Sequence, residues 1–124
     1  MKEYSELYEG KIGVILTNLG TPNEPSKKAL KKYLNQFLMD KRVVDINRLL
    51  WLPILKLIIL NVRPKKSARL YSKIWTDKGS PLMVYMNNIK NEIVKKFSSN
   101  NSYQFEIAMR YGDPSFKKAL DTFK

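Results

Sequence analysis

The sequence predicts an α/β domain built on a parallel sheet. Two short apolar runs rich in β-branched or alternating residues, KIGVILTN at Lys11 to Asn18 and Tyr103 to Met109, read as strands. A long stretch of helical pattern lies between them, and it holds no hairpin signal. Strands separated by crossover helices pair in parallel, with a right-handed connection.

The elements follow in order. Gly20 and Pro22 end the first strand, which its composition marks as buried. From Ser26 to Met39 the apolar positions Ala29, Leu30, Tyr33, Leu34, Phe37 and Leu38 recur at helical spacing with lysines opposite, and Ser26 is the N-cap. Arg48 to Leu60 is apolar all round and helical, with Pro53 setting a kink or a second start. Pro64 opens another helix, striped by Ala68, Tyr71 and Trp75. After a turn at Thr76 to Gly79, Ser80 and Pro81 form a cap-plus-proline start for a helix reaching about Phe97. SSNNS is a polar loop before the second strand, and Asp113 with Pro114 repeats the cap-plus-proline start for a last helix. Two parallel strands cannot make a well-buried sheet, so the expectation is the front part of a larger fold. Residues 1–10 are expected to be an N-terminal extension and residues 11–124 a truncated α/β domain.

Composition bounds the chemistry. With 23 Lys and Arg against 11 Asp and Glu the net charge is +12, which suits phosphate or carboxylate partners, anionic membrane surfaces and nucleic acid alike. Lysine far outnumbers arginine, which argues against base reading in nucleic acid, because the planar guanidinium is the better reader. Cysteine and histidine are both absent. Disulfides, thiolate nucleophiles and Cys or His metal ligands are thereby excluded, as is the commonest general base at neutral pH. No carboxylates fall in a ligand-spaced cluster. MKEYSELYEGK is no secretory signal, so a cytoplasmic location is expected. LLWLPILKLIIL, Leu49 to Leu60, is too short for the roughly 20 residues of a bilayer span, leaving a core or interfacial role.

Three stretches could carry chemistry. NLGTP (Asn18 to Pro22) and MRYGDP (Met109 to Pro114) follow the two strands, where open α/β sheets collect ligands. If the strands are adjacent and parallel, Leu19, Arg110 and Tyr111 share a rim. Each loop is otherwise an ordinary strand-ending turn. The third stretch, RPKKSARLYSKIWTDKGSPL from Arg63 to Leu82, holds basic residues, Tyr71, Trp75 and Ser80. Its basic residues read first as a solvated helix face, Tyr71 and Trp75 as core and Ser80 as a helix cap, ahead of a ligand surface. Pattern alone leaves all three stretches open.

VILTNLGTPNEP, FLMDKRVVDINRLLWLPILKLIIL, RPKKSARLYSKIWTDKGSPL and AMRYGDPS, in this order and at these separations, resemble the amino-terminal part of the ferrochelatases, which insert ferrous iron into protoporphyrin IX to give protohaem. The resemblance covers nearly all of Lys11 to Lys124. It implies a flavodoxin-like, chelatase-like α/β domain with flanking helices, the first of two facing a porphyrin cleft. It implies that Leu19, Arg110 and Tyr111 line the cleft and that Arg63, Tyr71 and Ser80 meet the propionates. It also makes Leu49 to Leu60 the lip of the pocket, which touches lipid in membrane-associated members. The implied partners are protoporphyrin IX and the remaining, catalytic half of the enzyme; a peripheral membrane contact is compatible, and nucleic acid is not expected. The family's catalytic histidine and its partner glutamate fall in that other half. No catalytic residue, metal ligand or cofactor site is therefore assigned to this chain. A non-catalytic porphyrin- or lipid-binding module and a basic nucleic-acid-binding domain are the rival readings.

Overall fold

Strands β1 (Ile12–Thr21) and β2 (Tyr103–Gly112) pair in parallel in a computed structural model that describes residues 10–124. The expected N-terminal extension, and the reading of MKEYSELYEGK as no signal, fall on residues 1–9, outside the described part. Five helices complete the chain: α1 (Lys27–Met39), α2 (Arg48–Pro53), α3 (Leu60–Ile74), α4 (Pro81–Lys96) and α5 (Phe116–Asp121). The α/β class and the parallel pair are as the sequence predicts.

Both strands outrun their expected ends by three residues, so Leu19, Arg110 and Tyr111 lie on the strands themselves and not in loops. The register runs from Ile12 opposite Tyr103 to Thr21 opposite Gly112, and the Leu19 and Arg110 position is the one missing from the ladder. Gly20 makes the extension possible. Its φ of 120° is open only to glycine, and a methyl group there would overlap the carbonyl oxygen of Tyr111. Gly112 approaches from the other strand, where an added Cβ would lie 2.7 Å from the Thr21 carbonyl oxygen.

Helix starts follow hydroxyl caps. Ser26 Oγ accepts the Ala29 N–H at 3.1 Å and Ser80 Oγ accepts the Met83 N–H at 3.3 Å, as expected from their positions. At α5 the cap is Ser115, which accepts from the Lys118 N–H at 3.2 Å, and not Asp113. The Pro114 carbonyl is instead engaged by the Met109 N–H at 2.7 Å, which keeps that proline outside the helix.

The expected break between two helices at Pro64 is also absent. The helical path runs on from Arg48 to Ile74 through a π-helical stretch at Ile54–Ile59, with Pro53 ahead of it and Pro64 buried inside α3. Proline offers no N–H to the preceding turn, yet the path continues past both of them. In the wider turns the Leu60 N–H reaches back to the Leu55 carbonyl. The Asn61 side-chain amide donates to the Leu57 carbonyl at 2.8 Å and to that of Lys56 at 3.4 Å.

Two apolar clusters hold the layers together. Trp51, Leu55 and Leu60 pack on Leu34 and Leu38 of α1, and the Trp51 indole donates to the Leu38 carbonyl at 2.9 Å. Met86 of α4 packs on Ile107 and Met109 of β2 with Leu16 of β1. Each such fully buried side chain stabilises the fold by about 1.5–3 kcal/mol. β1 departs from its expected burial: Val14, Ile15 and Leu16 are half-buried and Thr17 to Leu19 exposed, because the helices described cover only part of its surface.

A pair of substitutions separates the close approach from ordinary glycine strain. Gly79 also has positive φ, at 108°, but an added Cβ there meets nothing within 4 Å. Gly20→Ala should therefore cost more than Gly79→Ala by at least about 1 kcal/mol in chemical denaturation, since only Gly20 adds a clash to the backbone cost. Equal losses would mean that the strands can part to admit the methyl group.

Candidate functional site

Leu19, Arg110 and Tyr111 come together because β1 and β2 are adjacent and parallel, which sets their carboxyl ends side by side. Leu19 is 52% exposed, whereas Tyr111 is 4% exposed, with its ring edge-on to Phe37 of α1 at 5.1 Å. Arg110 lies with its guanidinium 5.7 Å from the centre of the Tyr111 ring. The rim thus presents an aliphatic side chain and a cation, and the tyrosine supports them from beneath.

Beside these lies a residue that the sequence reading did not single out. Asp40, at the carboxyl end of α1, accepts from Arg110 Nη2 at 2.7 Å and from the Tyr111 hydroxyl at 2.8 Å, both on Oδ2, and from the Arg42 N–H at 2.9 Å on Oδ1. The bond from Arg110, then those from Arg42 and Tyr111, hold its carboxyl well below the usual carboxylate range. Arg110 is correspondingly raised, chiefly by the bond to Asp40. Nothing in spacing could have revealed a pair this far apart in sequence; only the strand register brings them together.

The α3 residues stand apart from this rim. Arg63 is exposed and has neither ion pair nor hydrogen bond among the described residues. Tyr71 is half-buried, edge-on to Trp75 at 6.2 Å, and burial pushes its phenol up. Two turns of helix set these residues roughly 12 Å apart along the axis. At the strand ends, Tyr33 has its pKa pushed up to about 12, first by burial and then by the charges of Tyr71 and Tyr111. Tyr33 in turn donates to the Gly20 carbonyl at 3.1 Å. Ser80 is 2% exposed and its oxygen is occupied as the cap of α4.

These six residues do not line a closed cavity together. A small depression at the strand ends is bordered by Thr21, Pro22, Tyr33, Gln36 and Gly112, and none of the six lines it. Leu19, Arg63 and Arg110 instead face an open surface, Tyr71 is half-buried, and Ser80 and Tyr111 are buried. Next to Arg63 that surface is apolar, with Leu49, Leu50, Leu57, Ile58 and Val62 each at least 58% exposed along α2, the π-helical stretch and α3. Among the described residues no three carboxylates are grouped to hold a metal ion.

A parallel α/β layer thus carries a cationic and aliphatic rim at its strand ends, and the helical path from Arg48 to Ile74 presents a wall of exposed apolar residues. The chain matches the family model described as Ferrochelatase over residues 11–124. It is 49% identical over 109 residues to the ferrochelatase of Wigglesworthia glossinidia brevipalpis, covering 88% of this chain and 33% of that protein. It is 50% identical over 109 residues to the ferrochelatase of Pseudoalteromonas atlantica, covering 86% and 30%. Ferrochelatase 1 of Shewanella oneidensis is 48% identical over 115 residues, covering 91% and 34%. No solved structure matches the chain. This chain belongs to the ferrochelatase family, and it spans about a third of the length of the curated relatives it matches.

Burial of Tyr33 makes an alkaline test of this corner. Its pKa is raised from 10.0 to about 12, so the folded state holds the proton more tightly than the unfolded state does. The resulting stability is complete below about pH 10 and is lost as pH rises towards about 12. Ultraviolet titration should show a late-ionising tyrosine that Tyr33→Phe removes. Unchanged late ionisation in that variant would show that the Tyr33 phenol is not the protected one.

Proposed function

We propose that the protein is a ferrochelatase, inserting ferrous iron into protoporphyrin IX to give protohaem, and that this chain supplies one wall of the porphyrin cleft. The observation that carries the reading is the match over residues 11–124, at about half identity to proteins named ferrochelatase. The site chemistry agrees with it. A dianionic macrocycle needs a cationic fork at its carboxylates and apolar side chains against its face. Arg63 offers an unpaired guanidinium, with exposed Leu57, Ile58 and Val62 on the same helical path. Leu19 and Arg110 meet the ligand from the strand ends. Tyr71 and Ser80 complete the propionate side; the burial of Ser80 means that its hydroxyl serves there through the start of α4.

In this reading ferrous iron and protoporphyrin IX are substrates, and the chain holds no resident cofactor. Metallation requires the loss of two pyrrole protons. Without histidine, and with its carboxylates scattered, the chain binds and orients the macrocycle while residues outside it take those protons and deliver the metal. Residues 1–124 expressed alone should therefore give no metalloporphyrin above the uncatalysed rate, followed by absorption with ferrous or zinc ion. Turnover would place the chemistry within this chain.

The exposed apolar wall also supports a peripheral membrane contact from the cytoplasmic side. Among the described residues no helix is long and apolar enough to cross a membrane, so contact would be along the surface. The charge of +12 favours anionic lipid there, and nucleic acid is not a partner in this reading.

Arg63 and Lys66 provide the direct comparison, in the full-length protein. Arg63→Ala should weaken protoporphyrin binding by about 1.5–3 kcal/mol, the range for hydrogen bonds to a charged group, and Lys66→Ala much less. Both remove one positive charge. Equal losses that fade with salt would reduce Arg63 to long-range attraction and make RPKKSARLYSKIW a solvated face.

A further inference from the structure

We infer that Asp40 is a positioning residue for the porphyrin cleft: it fixes the Arg110 guanidinium at the rim and withdraws the Tyr111 hydroxyl from ligand binding. The inference rests on the ferrochelatase reading and adds to it a residue on a different element.

Asp40 is itself held on every side. Its N–H donates to the Phe37 carbonyl at 3.4 Å, and its own carbonyl accepts from the Val43 and Val44 N–H groups, both at 3.0 Å. The Arg42 N–H takes Oδ1 at 2.9 Å. Only Oδ2 is left to reach across to β2, and it receives Arg110 Nη2 at 2.7 Å and the Tyr111 hydroxyl at 2.8 Å. An acceptor locked into the turn after α1 thus dictates where two neighbouring side chains of β2 stand.

The consequences for the two partners differ. A guanidinium carries five N–H donors, so the bond from Nη2 leaves others free for an anionic ligand while the Tyr111 ring lies 5.7 Å beneath. The phenol has one proton, and Asp40 takes it. Tyr111 is therefore a support for Arg110 and not a hydrogen-bond donor to the macrocycle. The link is poorly suited to a purely structural purpose. With the Arg110 side chain 45% exposed, an ion pair of this kind contributes little to stability, whereas preorganising a planar fork directly improves binding.

A double-mutant cycle in the full-length protein tests this, with protoporphyrin as ligand and fluorescence as the readout. Asp40→Asn, which keeps the size of the side chain, and Arg110→Ala should each weaken binding on the order of tenfold. The double variant should bind no more weakly than Arg110→Ala alone, because Asp40 acts through Arg110. Tyr111→Phe keeps the supporting ring and removes the hydroxyl, and a loss as large as that of Arg110→Ala would show that the hydroxyl binds the ligand, against its assignment to Asp40. Losses that multiply in the double variant, or an Asp40→Asn protein that binds as the unsubstituted one does, would overturn the role given to Asp40. An unsubstituted protein that binds no protoporphyrin would overturn the ferrochelatase reading itself, a different result from multiplying losses.

Discussion

The close approach of β1 and β2 at Gly20 and Gly112 governs the geometry of the site. Two backbones meet there with no room for a Cβ on either glycine. Because the strands stay paired to Thr21 and Gly112, Tyr111 is carried on the ladder, and Leu19 and Arg110, which skip it, are held between paired residues on either side. Had the strands ended at Asn18 and Met109, the same residues would stand on loops, and their relative positions would depend on turn conformation. Tyr33 reinforces the junction by bonding the Gly20 carbonyl, and Gln36 does so by accepting the Gly112 N–H at 2.9 Å. Both come from α1, so the helix that closes over the strand ends also carries Asp40 to Arg110 and Tyr111.

The helical wall solves a different problem. A single path from Arg48 to Ile74 contains two prolines and does not break, passing through wider π-helical turns between them. The wider turns change which residues look inward. Trp51, Leu55 and Leu60 are buried against α1, and Ile54, Leu57 and Ile58 between them are left outward. An apolar surface of this extent on a chain of net charge +12 needs something to cover it. Under the proposed function, a porphyrin face and a lipid surface would each cover part of it.

Much of the fold is legible in local pattern. The strands announce themselves by β-branched or alternating runs, α1 by its apolar spacing, and α4 by serine and proline at its start. What escapes is decided by tertiary contact. A strand's end cannot be read from NLGTP when glycine serves equally to stop a strand or to let it pass close to its neighbour. Pro64 looks like a helix start in sequence and lies buried inside a helix that continues from the π-helical stretch before it. Asp113 loses the cap to Ser115 because the Pro114 carbonyl is claimed by Met109. At the site, the shared position of Leu19, Arg110 and Tyr111 follows from parallel adjacency alone. Asp40 does not, because its partners lie 70 and 71 residues away. The burial of Ser80 is legible in its capping position, and the family resemblance is what directs attention to it as a ligand contact.

The central claim is that this chain forms one wall of a protoporphyrin cleft, and a crystal structure of the full-length protein with protoporphyrin bound tests it most directly. The account predicts the macrocycle over the strand ends, with Leu19 and the exposed residues of Leu49 to Leu60 within about 4.5 Å of its face and the Arg63 guanidinium at hydrogen-bond distance from a propionate. A porphyrin bound entirely by residues outside this chain, with Arg63 and Arg110 facing solvent, would contradict it.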